Sequence, residues 1–218
     1  TTAQLILREE NKRYVDEPAY CKVDFSRDHF VLLSERDGYQ HMYLYTAGGQ
    51  LVRQLTSGEY EVTDYYGTDA TGKTFYYACN EGSPLEQYIY KVDSSGKKTR
   101  ISAEKGFNKA VFSKGCQYFL NTYSNLTTPP VYSLCNASGK VLKVVEDNAE
   151  LQSKRAALSL GSVDIISVTT ADGVQLNGWM VKPRNFDAAK KYPVLMYQYG
   201  GPGSQEVYNS YANGFFGG

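Results

Sequence analysis

The sequence predicts a mainly β chain, in which about three repeated four-stranded sheets of the kind that form propeller blades precede the first strands of an α/β unit. Three observations predict it: an aromatic-rich composition, a repeat of roughly 45 residues, and a change of pattern near residue 155. Tyr and Phe number 20 and 9 against a single Trp, and such side chains favour pleated, half-buried surfaces. At 218 residues the chain can bury a full core, as one unit or as two.

The repeat is read from landmarks. Phe30-Val31-Leu32-Leu33 leads through a turn at Arg36-Asp37-Gly38 to Met42-Tyr43-Leu44-Tyr45, then past Gly48-Gly49 to Leu51–Thr56. The same order returns in Phe75-Tyr76-Tyr77-Ala78, a turn at Glu81–Pro84, Tyr88-Ile89-Tyr90, a turn at Ser94-Ser95-Gly96, and Arg100-Ile101-Ser102. A looser third copy runs from Tyr118-Phe119-Leu120 through Val131–Leu134 and a turn at Ala137-Ser138-Gly139 to Val141-Leu142. Phe30 to Phe75 is 45 residues, Tyr43 to Tyr88 is 45, and Phe75 to Tyr118 is 43.

A β-sandwich with evenly spaced strands would share the composition, but register held at several landmarks favours propeller blades. Three blades do not close a ring of four to eight, so further blades are expected upstream of Thr1. The open stack is expected to self-associate through its unpaired edges.

The repeat ends at Val144-Val145. Glu146–Arg155 is polar and reads as a linker or short helix, which divides the chain into a partial propeller over residues 1–155 and a second unit over 156–218. There Val163–Thr170 and Val174–Val181 flank Ala171-Asp172-Gly173, and an Asp-Gly turn between β-branched runs signals a hairpin. Pro183 ends the second strand, and Asn185–Lys191 makes a polar excursion. Tyr192-Pro193 then opens the apolar run Val194–Tyr199, expected to be a buried strand. Gly200-Gly201-Pro202-Gly203 closes that run in a turn that brings backbone close to something. Hairpin, loop, buried strand and glycine-rich exit suit the opening of an α/β-hydrolase sheet.

Charge and hydropathy narrow the possible partners. Lys plus Arg and Asp plus Glu both number 23, which leaves no electrostatic footprint for nucleic acid. The longest uncharged apolar run is a few residues, far short of the roughly 20 that a membrane-spanning helix needs. Thr1–Glu10 lacks the basic-then-apolar order of a secretory leader. Cys21, Cys79, Cys116 and Cys135 form no CxxC pair, so a metal site is not expected, and they read as small buried hydrophobes rather than disulfides. Asn125-Leu126-Thr127 and Asn136-Ala137-Ser138 match the glycosylation pattern only as often as chance supplies it. Nothing in the sequence asks for a cofactor.

Four stretches resemble the dipeptidyl peptidase IV branch of the prolyl oligopeptidase family. They are Leu33–Tyr45 (LSERDGYQHMYLY), Leu55–Val62 (LTSGEYEV), the hairpin, and Tyr192–Gln205 (YPVLMYQYGGPGSQ), the last being the most specific. The resemblance covers nearly the whole chain. It implies a propeller capping an α/β-hydrolase that removes dipeptides, with Pro or Ala second, from peptides with a free N-terminus. It also implies acyl transfer by a Ser-His-Asp triad, a periplasmic or extracellular setting, and a homodimeric parent.

The resemblance places one role on this chain. A tyrosine at the exit of an early hydrolase strand helps hold the tetrahedral oxyanion, and Tyr199 matches it. A phenol can donate one hydrogen bond to developing negative charge, and such a donor is typically worth about 3 to 4 kcal/mol in the transition state. Without the resemblance Tyr199 would read as a strand-end aromatic, and Tyr197, two residues back, reads as core.

The other catalytic parts are not expected here. No GxSxG occurs, and its place would be downstream of Gly218. Ser204 has Glu206 where the motif needs glycine, and reads as a turn serine. His29 and His41, the sole histidines, fall in the repeat, His41 packing within its blade and His29 at a solvent edge. Glu9-Glu10 and Glu17 are the nearest imitators of the branch's ammonium-binding glutamates, but their surroundings differ and the role is not carried onto them.

Two further readings stand beside this one. The chain could be a propeller peptide-binding module with a structural extension, or a relative of prolyl oligopeptidase or acylaminoacyl peptidase. A GxSxG followed by Asp and His beyond Gly218 would separate enzyme from module.

Overall fold

A computed structural model describes residues 3–15, 28–158, 160–201 and 203–211. The described residues form four antiparallel sheets. The first holds β1 (His29–Ser34), β2 (His41–Thr46) and β3 (Leu51–Gln54). The second holds β4 (Val62–Thr68), β5 (Thr74–Cys79), β6 (Tyr88–Asp93) and β7 (Lys98–Arg100). The third holds β8 (Phe107–Phe112), β9 (Tyr118–Ser124), β10 (Val131–Asn136) and β11 (Val141–Glu146), in the order β8-β9-β10-β11. Helix α1 (Ala149–Ala157) follows, and then a hairpin of β12 (Val163–Thr169) and β13 (Gln175–Val181). The first three sheets are propeller blades, each an up-and-down meander in sequence order, the first with three strands among the described residues.

Alternation along β5 explains how the blades stack. Phe75, Tyr77 and Cys79 point one way, into a cluster with Val31, Leu33, Met42 and Leu44 of the first blade. Tyr76 and Ala78 point the other way, into a cluster with Cys116, Phe119 and Cys135 of the third. A strand's side chains alternate between faces, so the middle blade is buried on both. Phe75, Tyr77 and Cys79 are wholly inaccessible to solvent. The third blade has one covered face, and Val111 on its other face is 73% exposed.

Tight turns set the spacing between blades. Gly49, in the β2–β3 turn, sits at φ +82° against the backbone of Ile6, and Gly139, in the β10–β11 turn, sits at φ +88° against that of Ile101. A Cβ at either position would overlap a carbonyl oxygen, so glycine serves both the left-handed φ and the close approach. Side chains repeat the device: Arg53 reaches the Ser94 and Ser95 carbonyls of the next blade, and Lys91 the Ala137 carbonyl at 3.3 Å.

The predicted linker is α1, entered from Asn148, whose Nδ2 donates to the Pro130 carbonyl at 2.7 Å. The Asp172-Gly173 turn forms as read: Gly173 has φ +87°, and Thr170 and Val174 pair across it at 2.8 Å. The expected buried strand does not form. Val194, Leu195 and Met196 are 88%, 77% and 83% exposed and enter no ladder. A strand buried on both faces needs neighbouring strands and covering layers, and no strand among the described residues forms a ladder with this run. Tyr197, read as core, is 48% exposed for the same reason.

Cys79, Cys116 and Cys135 are buried free thiols, and Cys21 lies outside the described residues. No helix among the described residues is long and apolar enough to cross a membrane.

Candidate functional site

Tyr199 ends the apolar run and is 59% exposed. The glycines after it shape its surroundings. A Cβ built on Gly201 would stand 2.8 Å from the Tyr199 hydroxyl and 2.9 Å from a ring carbon, so the ring folds back over the bare backbone of residue 201. Gly201 in turn accepts a hydrogen bond from the Ser204 N–H at 3.2 Å, across a four-residue turn whose third position, Gly203, has φ +68°. Glycine is the residue for that position. The result is an exposed phenol held at a backbone turn, able to donate one hydrogen bond.

Beyond the turn the chain is anchored to the blades. Gln205 Nε2 donates to the Pro84 carbonyl at 2.6 Å, and the Asn209 N–H to the Leu85 carbonyl at 2.7 Å. Asn209 Nδ2 donates to Glu86 Oε1 at 3.3 Å, while its Oδ1 accepts from the Leu126 N–H at 3.3 Å. The Tyr211 N–H donates to Ser124 Oγ at 3.3 Å, and the Tyr208 ring meets Phe107 edge-on at 5.2 Å.

The receiving loops are held by their own hydrogen bonds. In the β5–β6 loop, Gln87 pairs with Phe107 of the next blade, and the Gln87 and Asn108 amides bond each other's main-chain carbonyls at 2.8 and 2.9 Å. Glu86 is buried; it accepts from the Tyr88 hydroxyl at 2.5 Å, and Lys105 lies 3.7 Å away. Burial first, and then that bond to Glu86, pushes the Tyr88 hydroxyl up to about 12. Arg100 stacks on the Tyr88 ring at 3.6 Å. In the β9–β10 loop, Asn125 Oδ1 caps the Thr127 and Thr128 N–H groups, a local turn that gives its amide a structural use.

A cavity of about 340 Å³ lies beside this anchor, lined by Thr127, Gln152, Arg155, Ala156, Leu160 and Gly161. Its one charged side chain is already engaged: Arg155 donates to the Thr127 carbonyl at 3.1 Å and lies over the Tyr211 ring at 4.9 Å.

The remaining candidates fall apart from Tyr199. His41 is buried, with Nδ1 3.1 Å from Thr56 Oγ1 and Nε2 2.9 Å from the Gly58 carbonyl. Both ring nitrogens are used, which leaves none to serve as a base. His29 is half-buried and edge-on to Phe75, not at a solvent edge as its place in the repeat suggests. Ser204 lies in the turn with Oγ 3.5 Å from Glu206.

Glu9 is taken up by Ser34 and by Arg36 at 2.6 Å, and Glu10 by Arg8 at 3.2 Å. Glu9 is thereby engaged, Glu10 sits in a surface pair with its side chain 73% exposed, and Glu17 lies outside the described residues. No cluster of metal-ligating side chains occurs among the described residues. The anchoring of residues 205–211 is what sequence reading missed. Its donors are single polar residues with no spacing pattern, and their partners lie more than 80 positions away.

Comparison with known proteins gives these features a context. Residues 1–130 match the family described as the dipeptidyl peptidase IV N-terminal region. The chain is 31% identical over 186 residues to a dipeptidyl peptidase 4 of Arthroderma otae, covering 83% of this chain and 24% of that protein. It is 34% identical over 189 residues to a probable dipeptidyl-aminopeptidase B of Chaetomium globosum, covering 79% and 20%. The crystal structure of Porphyromonas gingivalis dipeptidyl peptidase 4 superposes with a TM-score of 0.89 at 41% identity, over 94% of this chain and 29% of that one. That of a putative dipeptidyl aminopeptidase IV from Bacteroides ovatus superposes at 0.71 and 27% identity, over 87% and 30%. The chain thus spans about a quarter of the length of the curated relatives it matches.

Proposed function

The chain belongs to the dipeptidyl peptidase IV family, and on that premise we propose that it is part of a serine exopeptidase that releases Xaa-Pro or Xaa-Ala dipeptides from peptides with a free N-terminus. In this reading residues 1–155 are the later part of a propeller and 156–218 open an α/β-hydrolase domain, the boundary falling in the last turn of α1. Tyr199 supplies a hydrogen bond to the oxyanion. The observation that carries the assignment is the exposed phenol folded over Gly201, at the exit of an apolar run and at a glycine-fixed turn.

The chemistry follows from what a phenol can do. As a serine oxygen attacks the scissile carbonyl, negative charge gathers on the carbonyl oxygen, and a donor fixed beforehand stabilises that charge without reorganising. Tyr199 donates and keeps its proton; the nucleophile, base and acid come from sequence other than these 218 residues, which contain no GxSxG. The exposed run Val194–Met196 is consistent with a central strand whose partners belong to that same remainder. The setting in this reading is periplasmic or extracellular, the complete enzyme is a homodimer, and the isolated chain self-associates through its unpaired edges.

Gly-Pro and Ala-Ala chromogenic substrates, each with a free or a blocked amino terminus, test the proposal on the complete enzyme. Cleavage confined to the free termini is expected, and cleavage of the blocked substrates would point instead to an endopeptidase or acylaminoacyl peptidase relative. The 218-residue chain alone is expected to show no turnover.

A further inference from the structure

Asn209 has a position that neither the family nor the proposed chemistry assigns. It is ten residues beyond Tyr199, and it bonds to loops of two different blades. Its main-chain N–H and side-chain Nδ2 hold Leu85 and Glu86 of the β5–β6 loop, and its Oδ1 holds the Leu126 N–H of the β9–β10 loop. Gln205, between the two residues, adds its bond to Pro84. Glu86, the charged member, is buried and already fixed by Tyr88.

A buried carboxylate is a directional acceptor for an amide N–H, and at 3.3 Å this bond is a long one that acts together with the 2.7 Å main-chain bond to Leu85. We infer that Asn209 is a positioning residue: it latches the segment after the Gly200–Gly203 turn to the second and third blades, and so sets where the Tyr199 hydroxyl stands.

The physical case is one of tethering. On the near side, the apolar run Val194–Met196 leads into Tyr199. On the far side, the turn bond from Ser204 to Gly201 passes directly into Gln205 and Asn209. The blade loops thus give the far side of the Tyr199 turn a fixed reference. Loss of the Asn209 side chain removes two of the hydrogen bonds that register segment and loops, while the blades, packed through their own clusters, stay intact.

The inference rests on the reading of Tyr199 as oxyanion donor, and the test separates the two. In the complete enzyme, Tyr199→Phe, Asn209→Ala and the double variant are assayed for kcat and KM on Gly-Pro-p-nitroanilide. Asn209→Ala is expected to lower kcat about 3- to 10-fold with KM nearly unchanged, and to have no further effect once Tyr199 is Phe, since coupled residues are non-additive. If Tyr199→Phe is damaging but Asn209→Ala is silent, or lowers kcat by the same factor in both backgrounds, the positioning role is overturned and the donor reading stands. If Tyr199→Phe is harmless, the donor reading falls and the positioning role falls with it.

Hydrogen exchange on the 218-residue chain supplies a readout independent of activity. In Asn209→Ala the Leu126 and Tyr211 amides should exchange about tenfold faster or more, with the Tyr77 and Val92 amides unchanged. Asn209→Asp, which faces the Glu86 carboxylate, should loosen the same amides, and Glu86→Gln in that background should restore protection. Unaltered exchange in both single variants would refute the latch.

Discussion

The Tyr199 hydroxyl stands 2.8 Å from where a Cβ on Gly201 would be, and the ring occupies the space that any side chain at 201 would need. Gly201→Ala therefore meets the mobile end of a side chain rather than fixed backbone, so the ring swings away and the blades are undisturbed. In the complete enzyme the substitution should lower kcat about 10- to 100-fold, the range that a misplaced catalytic group costs. Thermal unfolding of the 218-residue chain should shift by no more than about 2 °C. Kinetics and a melting curve check the pair; a large loss of stability with kcat unchanged would reverse the explanation.

The turn glycines give a graded series. Gly139→Ala combines φ +88° with overlap of the Ile101 carbonyl, whereas Gly173→Ala has φ +87° with nothing within 4 Å. Urea unfolding should show Gly173→Ala costing about 1 kcal/mol, the ordinary penalty for a left-handed alanine, and Gly139→Ala roughly 2 to 4 kcal/mol. Equal losses would mean that the third blade is not seated through the Gly139 turn.

Packing should be as asymmetric as the clusters. Phe75 is wholly buried between the first and second blades, while Val111 is 73% exposed on the uncovered face of the third. Phe75→Ala should cost roughly 3 to 5 kcal/mol, and Val111→Ala less than about 0.5 kcal/mol. Denaturant midpoints measured at equal m-value decide it.

The buried thiols predict an alkaline weakness. Burial pushes Cys79 from 9.0 up to about 12, burial and the Asp69 carboxylate push Cys116 to about 11, and burial raises Cys135. The native fold favours the neutral thiol, so its contribution is complete below the unfolded value near 9 and is lost as the pH rises towards 11 and 12. A Cys21→Ser chain should be inert to dithiobisnitrobenzoate at pH 8 until denatured, and should lose stability progressively above pH 9. Rapid reaction of the native chain would contradict the burial.

Much of this was legible from residues alone, for a physical reason. Phe30 and Phe75 recur because each blade buries the same strand face, and period-two packing leaves its mark on sequence; in the third blade Phe119 takes that place, and the landmark Tyr118 beside it is 48% exposed. The first strands of the second and third blades left a weaker mark. Val62–Thr68 is bulged at two places and interrupted by Gly67, and Phe107–Phe112 carries Asn108 and Lys109 among its apolar residues. His41 was readable as a packed residue, whereas His29 was misjudged because edge-on packing against Phe75 depends on a neighbouring blade.

At the candidate site, Tyr199 could be named because its motif is local. Its surroundings could not be read in the same way. The strand expected from Val194 to Tyr199 needs partners that apolar character alone does not supply, and the anchor at Asn209 joins residues 83 positions apart.

Tyr199 acts as a hydrogen-bond donor to developing charge in the proposed reaction, and Tyr199→Phe removes that hydroxyl and little else. In the complete enzyme the variant is expected to keep KM for Gly-Pro-p-nitroanilide and to lose kcat by about 100- to 1000-fold, the cost of one oxyanion donor. An unchanged kcat would show that Tyr199 is not an oxyanion donor.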